Sequence, residues 1–188
     1  GGTTFSTTDP FTLQAYLDPS KGSYTDSYFL SMAIVPKVSS PADLGSFSFS
    51  YLGVPKSVNV TGDMAYGTPP FETLIAPLVA TTDPGDLPPH GIYETYFFEF
   101  KFNFDASSSV SPKINVQDGS TSPGTLYLRE FVIDYSNLIS PYGIHFDLYS
   151  EKLANRSTND LDIDLFAPFS HDAQTGTPVP EPGTLVLL

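Results

Sequence analysis

The sequence predicts an all-β protein: an antiparallel β-sandwich of about nine strands, with the jelly roll as one candidate topology. Apolar and polar residues alternate at period two through most of the chain, as they do in half-buried strands. Glycine and proline turns separate the alternating runs, and no stretch has the pattern of a long helix. The predicted strands are 11–17, 28–35, 46–51, 57–61, 95–104, 113–117, 125–134, 143–150 and 160–166.

The strands differ in how deeply they should be buried. In 11–17 and 46–51 every second residue is apolar, which predicts one face on the core and one in solvent. The run 28–35 is almost continuously apolar and stops at Pro36, so we expect a more buried strand. In 95–104 four phenylalanines share one face and should lie at the centre of the core. They are Phe98, Phe100, Phe102 and Phe104.

The connections and the two ends complete the domain organisation. Residues 67–90 are rich in proline, and a helical turn over 71–79 is the regular element predicted there. We expect one sandwich domain over 11–166. An extended N-terminal segment, 1–10, precedes it, and a linker and tail, 167–188, follow it.

Charge and cysteine content restrict the partners. Eight Lys and Arg against 21 Asp and Glu give a net charge of −13. This charge argues against nucleic acid, whose phosphates need cationic contacts, and against an anionic membrane surface. The sequence has no cysteine, which excludes disulfides and thiolate metal sites.

The tail 178–188 has its own pattern. Prolines at 178, 180 and 182 favour an extended, polyproline-like backbone. The following residues, 184–188, are apolar, but they are too few to span a bilayer, which needs about 20. The tail is therefore the start of a longer anchor, a short strand or a frayed terminus.

The motif Val179-Pro180-Glu181-Pro182, followed by Gly-Thr-Leu-Val-Leu-Leu, resembles the opening of a PEP-CTERM sorting signal. In that family the motif precedes a membrane helix and a basic cluster, and exosortases process it in exported bacterial proteins. The helix and basic cluster are not in the sequence, either because processing removes them or because the sequence stops short of them. The resemblance implies export to the cell surface or beyond, with an exosortase as a transient partner. The start, Gly1-Gly2-Thr3-Thr4, is then expected to be a mature N-terminus after signal-peptide cleavage.

Three further segments, 90–96, 143–149 and 166–173, resemble choice-of-anchor N proteins. Those are exported bacterial proteins that share a β-rich domain and carry varied C-terminal anchors. The resemblance covers the C-terminal half of the chain. It implies a surface location, and the family brings no catalytic residues to these positions.

The histidines do not have metal-site spacing. His90, His145 and His171 are far apart in the sequence. His145 lies between Ile144 and Phe146, so it should face away from the core as a surface or hydrogen-bonded residue. A spatial pair of His145 and His171 remains the alternative.

Three aspartates share one face of the predicted strand 160–166, and carboxylates so placed could help to bind calcium. They are Asp160, Asp162 and Asp164. They lack the tight loop of an EF-hand, and a solvated, aggregation-resistant strand face is the alternative interpretation. No other cofactor is expected.

No catalytic motif is present, so the sequence predicts a protein that is not an enzyme. There is no G-x-S-x-G and no phosphate-binding loop. Glu94, Glu99 and Glu130 could supply a carboxylate pair for glycoside hydrolysis, but the sequence selects no pair. The glycosylation sequons at Asn59 and Asn155 are expected by chance in a chain rich in Ser and Thr.

Two functions fit these observations. The first is a structural protein of the cell surface or extracellular matrix, such as a biofilm, that forms a homo-oligomer or filament by strand donation. Its candidate donors are segments 1–8 and 183–188, with Thr3, Thr4, Phe5, Leu185, Val186 and Leu187 as central residues.

The alternative function is binding to an exopolysaccharide, assisted by calcium. Five tyrosines could form a stacking platform for sugars, although tyrosines in a sandwich are more commonly part of the core. They are Tyr16, Tyr24, Tyr28, Tyr93 and Tyr96. The absence of Trp weighs against this alternative, because Trp is the commonest stacking residue.

Overall fold

The computed structural model describes residues 3–5, 10–20, 22–69, 92–115, 119–150 and 173–175. The strands are β1 (Thr3–Phe5), β2 (Phe11–Leu17), β3 (Tyr28–Val35), β4 (Ser46–Tyr51), β5 (Val54–Asn59), β6 (Ala65–Gly67), β7 (Thr95–Phe102), β8 (Ser109–Val110), β9 (Lys113–Ile114), β10 (Thr121–Ser122), β11 (Leu126–Asp134), β12 (Gly143–Ser150) and β13 (Ala173–Thr175). The helices are α1 (Val60–Asp63) and a 3-10 helix (Ala106–Ser108). The predicted helical turn 71–79 and strand 160–166 lie outside the described residues.

Two packed sheets confirm the predicted all-β sandwich. One has six strands in the order β1-β13-β12-β3-β7-β6. The other has five: β2-β11-β4-β5, with β8 also pairing with β11. All pairings are antiparallel except that between β1 and β13. The expected number of strands, about nine, is too low, because several strands of two or three residues add to the long ones.

The connections between the long strands follow a jelly-roll path. Five of the connections, from β2 to β3, β3 to β4, β5 to β7, β7 to β11 and β11 to β12, cross from one sheet to the other. The step from β4 to β5 is a hairpin within one sheet. A jelly roll has eight strands in two sheets of four. The five-stranded sheet provides one complete set, β2-β11-β4-β5, but the other has three long strands, β12-β3-β7. The fourth position, beside β12, holds the three-residue strand β13 among the described residues.

Aromatic and aliphatic side chains from both sheets meet in one core. Phe131 of β11 and Phe49 of β4 are fully buried, and rings of β7 contact them from the opposite sheet: the ring centroids of Phe49 and Phe100 are 4.9 Å apart, and those of Phe131 and Phe102 are 5.2 Å apart. Phe102 and Phe104 are buried, while Phe98 and Phe100 are half-buried and pack against the core. The predicted phenylalanine face is therefore confirmed as part of the core.

The predicted strand 57–61 is partly wrong. Strand β5 begins earlier, at Val54, and ends at Asn59, where α1 begins. The Asn59 side-chain oxygen accepts hydrogen bonds from the backbone N–H groups of Thr61 (3.1 Å) and Gly62 (2.9 Å). A side chain that caps the backbone in this way favours a helical turn over continued strand. The Asn59 sequon thus coincides with a helix cap.

Candidate assembly site beside strand β12

The two sides of β12 are paired to different extents. Along one side, all eight residues pair with β3, from Gly143 opposite Val35 to Ser150 opposite Tyr28. On the other side, His145 and Phe146 pair with β13. Within the described ranges, no strand pairs with 148–150 on that side. We call this side of Gly143–Ser150 the β12 edge. It is the fourth position of the jelly-roll sheet, and β13 fills it in part.

Strand β13 is held at the β12 edge by a specific side-chain contact. Thr175 is 1% exposed, and its Oγ1 accepts a hydrogen bond of 2.6 Å from the backbone N–H of Ile144. A Cβ atom at Gly143 would lie 2.6 Å from both the carbonyl oxygen and Oγ1 of Thr175. Since real Cβ contacts are never this short, the close approach of Thr175 requires glycine at position 143.

The N-terminal strand, β1, pairs with the side of β13 that faces away from β12. Thr3, Thr4 and Phe5 form β1, which pairs in parallel with Ala173–Thr175. In the sheet order β1 lies next to β13, so it is the outermost described strand of the six-stranded sheet. The candidate donor residues Thr3, Thr4 and Phe5 therefore lie at the edge of a sheet of their own chain, and their donation to a neighbour stays a prediction. Leu185, Val186 and Leu187, and the sorting motif Val179–Pro182, lie outside the described residues.

Polar residues cross the outer face of the six-stranded sheet next to this edge. His145 faces away from the core, and its Nε2 lies 3.2 Å from Oδ1 of Asp147. Ser31 of β3 lies directly opposite both Asp147 and Glu99. Its hydroxyl is buried and has no hydrogen-bond partner among the described residues. The predicted hydrogen-bonded His145 is thus found, but it is buried rather than on the surface.

Metal sites and membrane-spanning helices can be sought among the described residues. Within the described ranges, no cluster of three His, Asp or Glu side chains could hold a metal ion. Asp160, Asp162 and Asp164 lie outside those ranges, as do His90 and His171. In the part of the chain that the structure describes, no helix is long and apolar enough to cross a membrane.

The structure separates two of the carboxylates considered from the sequence and buries two of the tyrosines. Glu99 lies on the outer face of the six-stranded sheet and Glu130 on the outer face of the five-stranded sheet, so the sandwich separates them. Tyr28 and Tyr96 are buried in the core. Burial, with a smaller contribution from the charge of Asp26, raises the pKa of the Tyr28 hydroxyl. These tyrosines are therefore part of the packing and not of a sugar platform.

Comparison with protein families, with curated proteins and with solved structures finds no match to this chain. The geometry of the β12 edge and the pattern of the C-terminal tail are therefore the grounds for assigning a function.

Replacing Thr175 by Val should loosen β13 from the β12 edge. Valine keeps the shape but leaves the Ile144 N–H without its acceptor, which costs about 1–3 kcal/mol for a buried group. We expect the Ile144 amide to exchange with deuterium about tenfold faster or more. Thr175→Ser retains the hydroxyl and is the matched control. Equal exchange rates in the two variants would contradict the role of Thr175.

Proposed function

We propose that the chain is an exported, non-enzymatic structural protein that assembles into homopolymers at the cell surface or in the extracellular matrix. Copies would be joined by strand donation at the β12 edge. The observation that supports this proposal is the fourth position beside β12, where, among the described residues, an eight-residue strand meets a three-residue partner. The resemblance of residues 179–188 to a sorting signal supports export.

The β12 edge has the properties of a strand acceptor. An extended segment that pairs with a sheet edge gains main-chain hydrogen bonds, and alternate side chains enter pockets that give specificity. The packing of Thr175 on β12 is such a side-chain contact, since its hydroxyl accepts the Ile144 N–H and its close approach requires glycine at position 143. If a neighbouring copy supplied β13, its Thr175 could make the same contacts with Gly143 and Ile144 of this chain.

The connection to β13 is long enough for exchange between copies. Antiparallel neighbours can be joined by a hairpin of two to five residues, whereas residues 151–172 separate β12 from β13. A segment of this length reaches about 70 Å when it is extended. In the closed form β13 pairs with β12 of its own chain, and in the exchanged form it pairs with β12 of a neighbour. The strand contacts are the same in both forms. The equilibrium between them therefore depends on the protein concentration relative to the effective concentration of β13 within one chain.

Two single-cysteine variants test the exchange. His145 and Gln174 lie directly opposite each other, and the natural sequence has no cysteine. We would co-express a His145→Cys chain with a Gln174→Cys chain that carries a size tag, and then oxidise the product. Strand donation predicts a disulfide between the two chains, visible as a heterodimer on a non-reducing gel.

The double variant, with both cysteines in one chain, is the control for geometry. At high dilution it should form an internal disulfide, because paired residues in a sheet lie within disulfide range. An internal disulfide in the double variant, together with no heterodimer from the co-expressed single variants, would exclude exchange of β13.

The alternative, polysaccharide binding, has weaker support. It requires a groove lined by exposed aromatic rings. One depression among the described residues, on the five-stranded sheet and of about 500 Å³, is lined by serines, aliphatic side chains and the charged Arg129 and Glu130. No tyrosine lines it. We therefore favour the structural role.

A further inference from the structure

The five-stranded sheet has a gap on the side of β11 that faces away from β2. Near the start of β11, β8 pairs on this side with Leu126 and Tyr127. Further along, β4 pairs on the same side with residues 131–134. The depression of about 500 Å³ lies between these two partners, and residues 128–130 form one of its walls. We call this space, bounded by β4, β8 and residues 128–130, the β11 gap.

The length of the β11 gap restricts what can occupy it. Successive residues of a strand direct their N–H and C=O groups to opposite sides, so at least one of residues 128–130 presents its backbone groups to the gap. An extended segment can pair with such groups. Three residues of strand span about 10 Å, and β8 and β4 close the two ends. A chain that enters the gap must turn away or end there, and a chain end needs no turn.

Arg129, at the centre of residues 128–130, lines the gap with a largely buried guanidinium group. Its side chain is 10% exposed, and its Nε donates a hydrogen bond of 3.0 Å to the carbonyl oxygen of Asn103. Its Nη2 is 3.9 Å from Oδ2 of Asp105, which is too far for a hydrogen bond. Among the described residues, Nη1 and Nη2 therefore donate no hydrogen bond.

The unused donors of Arg129 favour a carboxylate as the ligand group. A guanidinium presents its N–H groups in a planar fork that matches the two oxygens of a carboxylate. Asp105 offsets part of the positive charge, and Glu130 also lines the gap. A single negative charge therefore suits the gap better than a doubly charged group such as phosphate.

An aliphatic rim borders the gap on its solvent side. Leu52 and Val132 line it and are 65% and 46% exposed. Leu52 lies in the two-residue turn between β4 and β5 with a φ of 52°, in the left-handed region that leucine rarely adopts. Packing within the chain compensates little for this strain, because most of the side chain is exposed. Strain at an exposed residue is a ground for inferring a function for it.

We propose that the β11 gap binds the C-terminal end of an extended peptide whose last residue is aliphatic. The peptide carboxylate would pair with Arg129, its main chain with the backbone groups that face the gap, and its last side chain with Leu52 and Val132. The ligand is a peptide end and not a free small anion, because the guanidinium lies beside both strand-pairing positions and an apolar rim. This binding is independent of strand donation at the β12 edge, which belongs to the other sheet.

Two peptides that differ at their last atoms test the proposal on the unaltered protein. Both have the sequence Gly-Ser-Val-Leu with an N-terminal fluorescent label, and one ends in a carboxylate and the other in an amide. We expect fluorescence anisotropy to show binding of the amide weakened about tenfold or more, because a charge-assisted pair is lost. Acetate should displace the labelled acid far less effectively than the unlabelled acid peptide does. Equal binding of acid and amide, no binding of either, or equal displacement by acetate would overturn the proposal.

Three variants assign the binding to the gap. Arg129→Gln should abolish the preference for the acid, whereas Lys101→Gln, which removes an exposed charge from the other sheet, should retain it. Leu52→Asn suits the left-handed turn, so this variant should stay folded by circular dichroism and bind both peptides about tenfold more weakly. Equal effects of Arg129→Gln and Lys101→Gln would contradict the role of the guanidinium. If Arg129→Gln does not fold, Leu52→Asn decides, and unchanged binding in that variant excludes the gap as the site.

Discussion

Deletion of residues 1–8 or of residues 183–188 is expected to convert the assembled protein into a folded, soluble monomer where the deleted segment is the donated strand. If β13 is the donated strand instead, both truncated proteins are expected to assemble. The first deletion removes β1, the outermost strand of the six-stranded sheet. The second removes the apolar segment that follows the sorting motif and lies outside the described residues. Neither deletion removes a described core residue, so each chain should keep its far-ultraviolet circular dichroism spectrum. Electron microscopy of the intact and truncated proteins at equal concentration measures the result.

A same-length replacement separates the role of sequence from that of length. Substituting residues 1–8 by Gly and Ser keeps the tail but removes the β-forming side chains of Thr3, Thr4 and Phe5. If donation depends on those side chains, the replacement behaves like the deletion. Polymers that persist in both truncations would show that strand donation from the termini is wrong. Loss in one truncation alone identifies the donor.

The long strands could be predicted because their pattern is local. The predicted bounds 11–17, 28–35 and 143–150 agree with β2, β3 and β12. Alternating or continuous apolar residues that end at a turn specify such strands without knowledge of their partners. The same reasoning placed His145 on the face away from the core.

The short strands and the β12 edge leave no comparable pattern. Strands of two or three residues, such as β6, β10 and β13, are too short to show periodicity. Their pairing depends on residues distant in the sequence, as in the contact of Thr175 with Gly143. The burial of His145 likewise depends on tertiary packing. The jelly-roll order was therefore one option from the sequence, and the structure shows that, among the described residues, the position beside β12 holds the short strand β13.

Phe131→Ala is expected to lower the free energy of unfolding by about 3–5 kcal/mol, the usual effect of removing a buried phenylalanine. Phe131 is fully buried on β11. Its ring centroid lies 5.6 Å from that of Tyr51 in its own sheet and 5.2 Å from that of Phe102 in the other sheet. The substitution removes a contact between the sheets and leaves a cavity. Because the sequence has no Trp, urea unfolding is best followed by circular dichroism.

Val132→Ala is the matched control on the same strand. Val132 is 46% exposed and points to the opposite face, so its truncation should change stability by about 0.5 kcal/mol or less. Similar losses in both variants would mean that the two sheets do not pack through Phe131.

Since a total stability of about 5–15 kcal/mol is usual for a domain, the Phe131→Ala monomer should be close to unfolding at moderate temperature. If folded chains associate with one another and unfolded chains do not, association stabilises the folded state by mass action. The melting temperature of Phe131→Ala should therefore rise with protein concentration if copies associate, and it should stay constant if they do not.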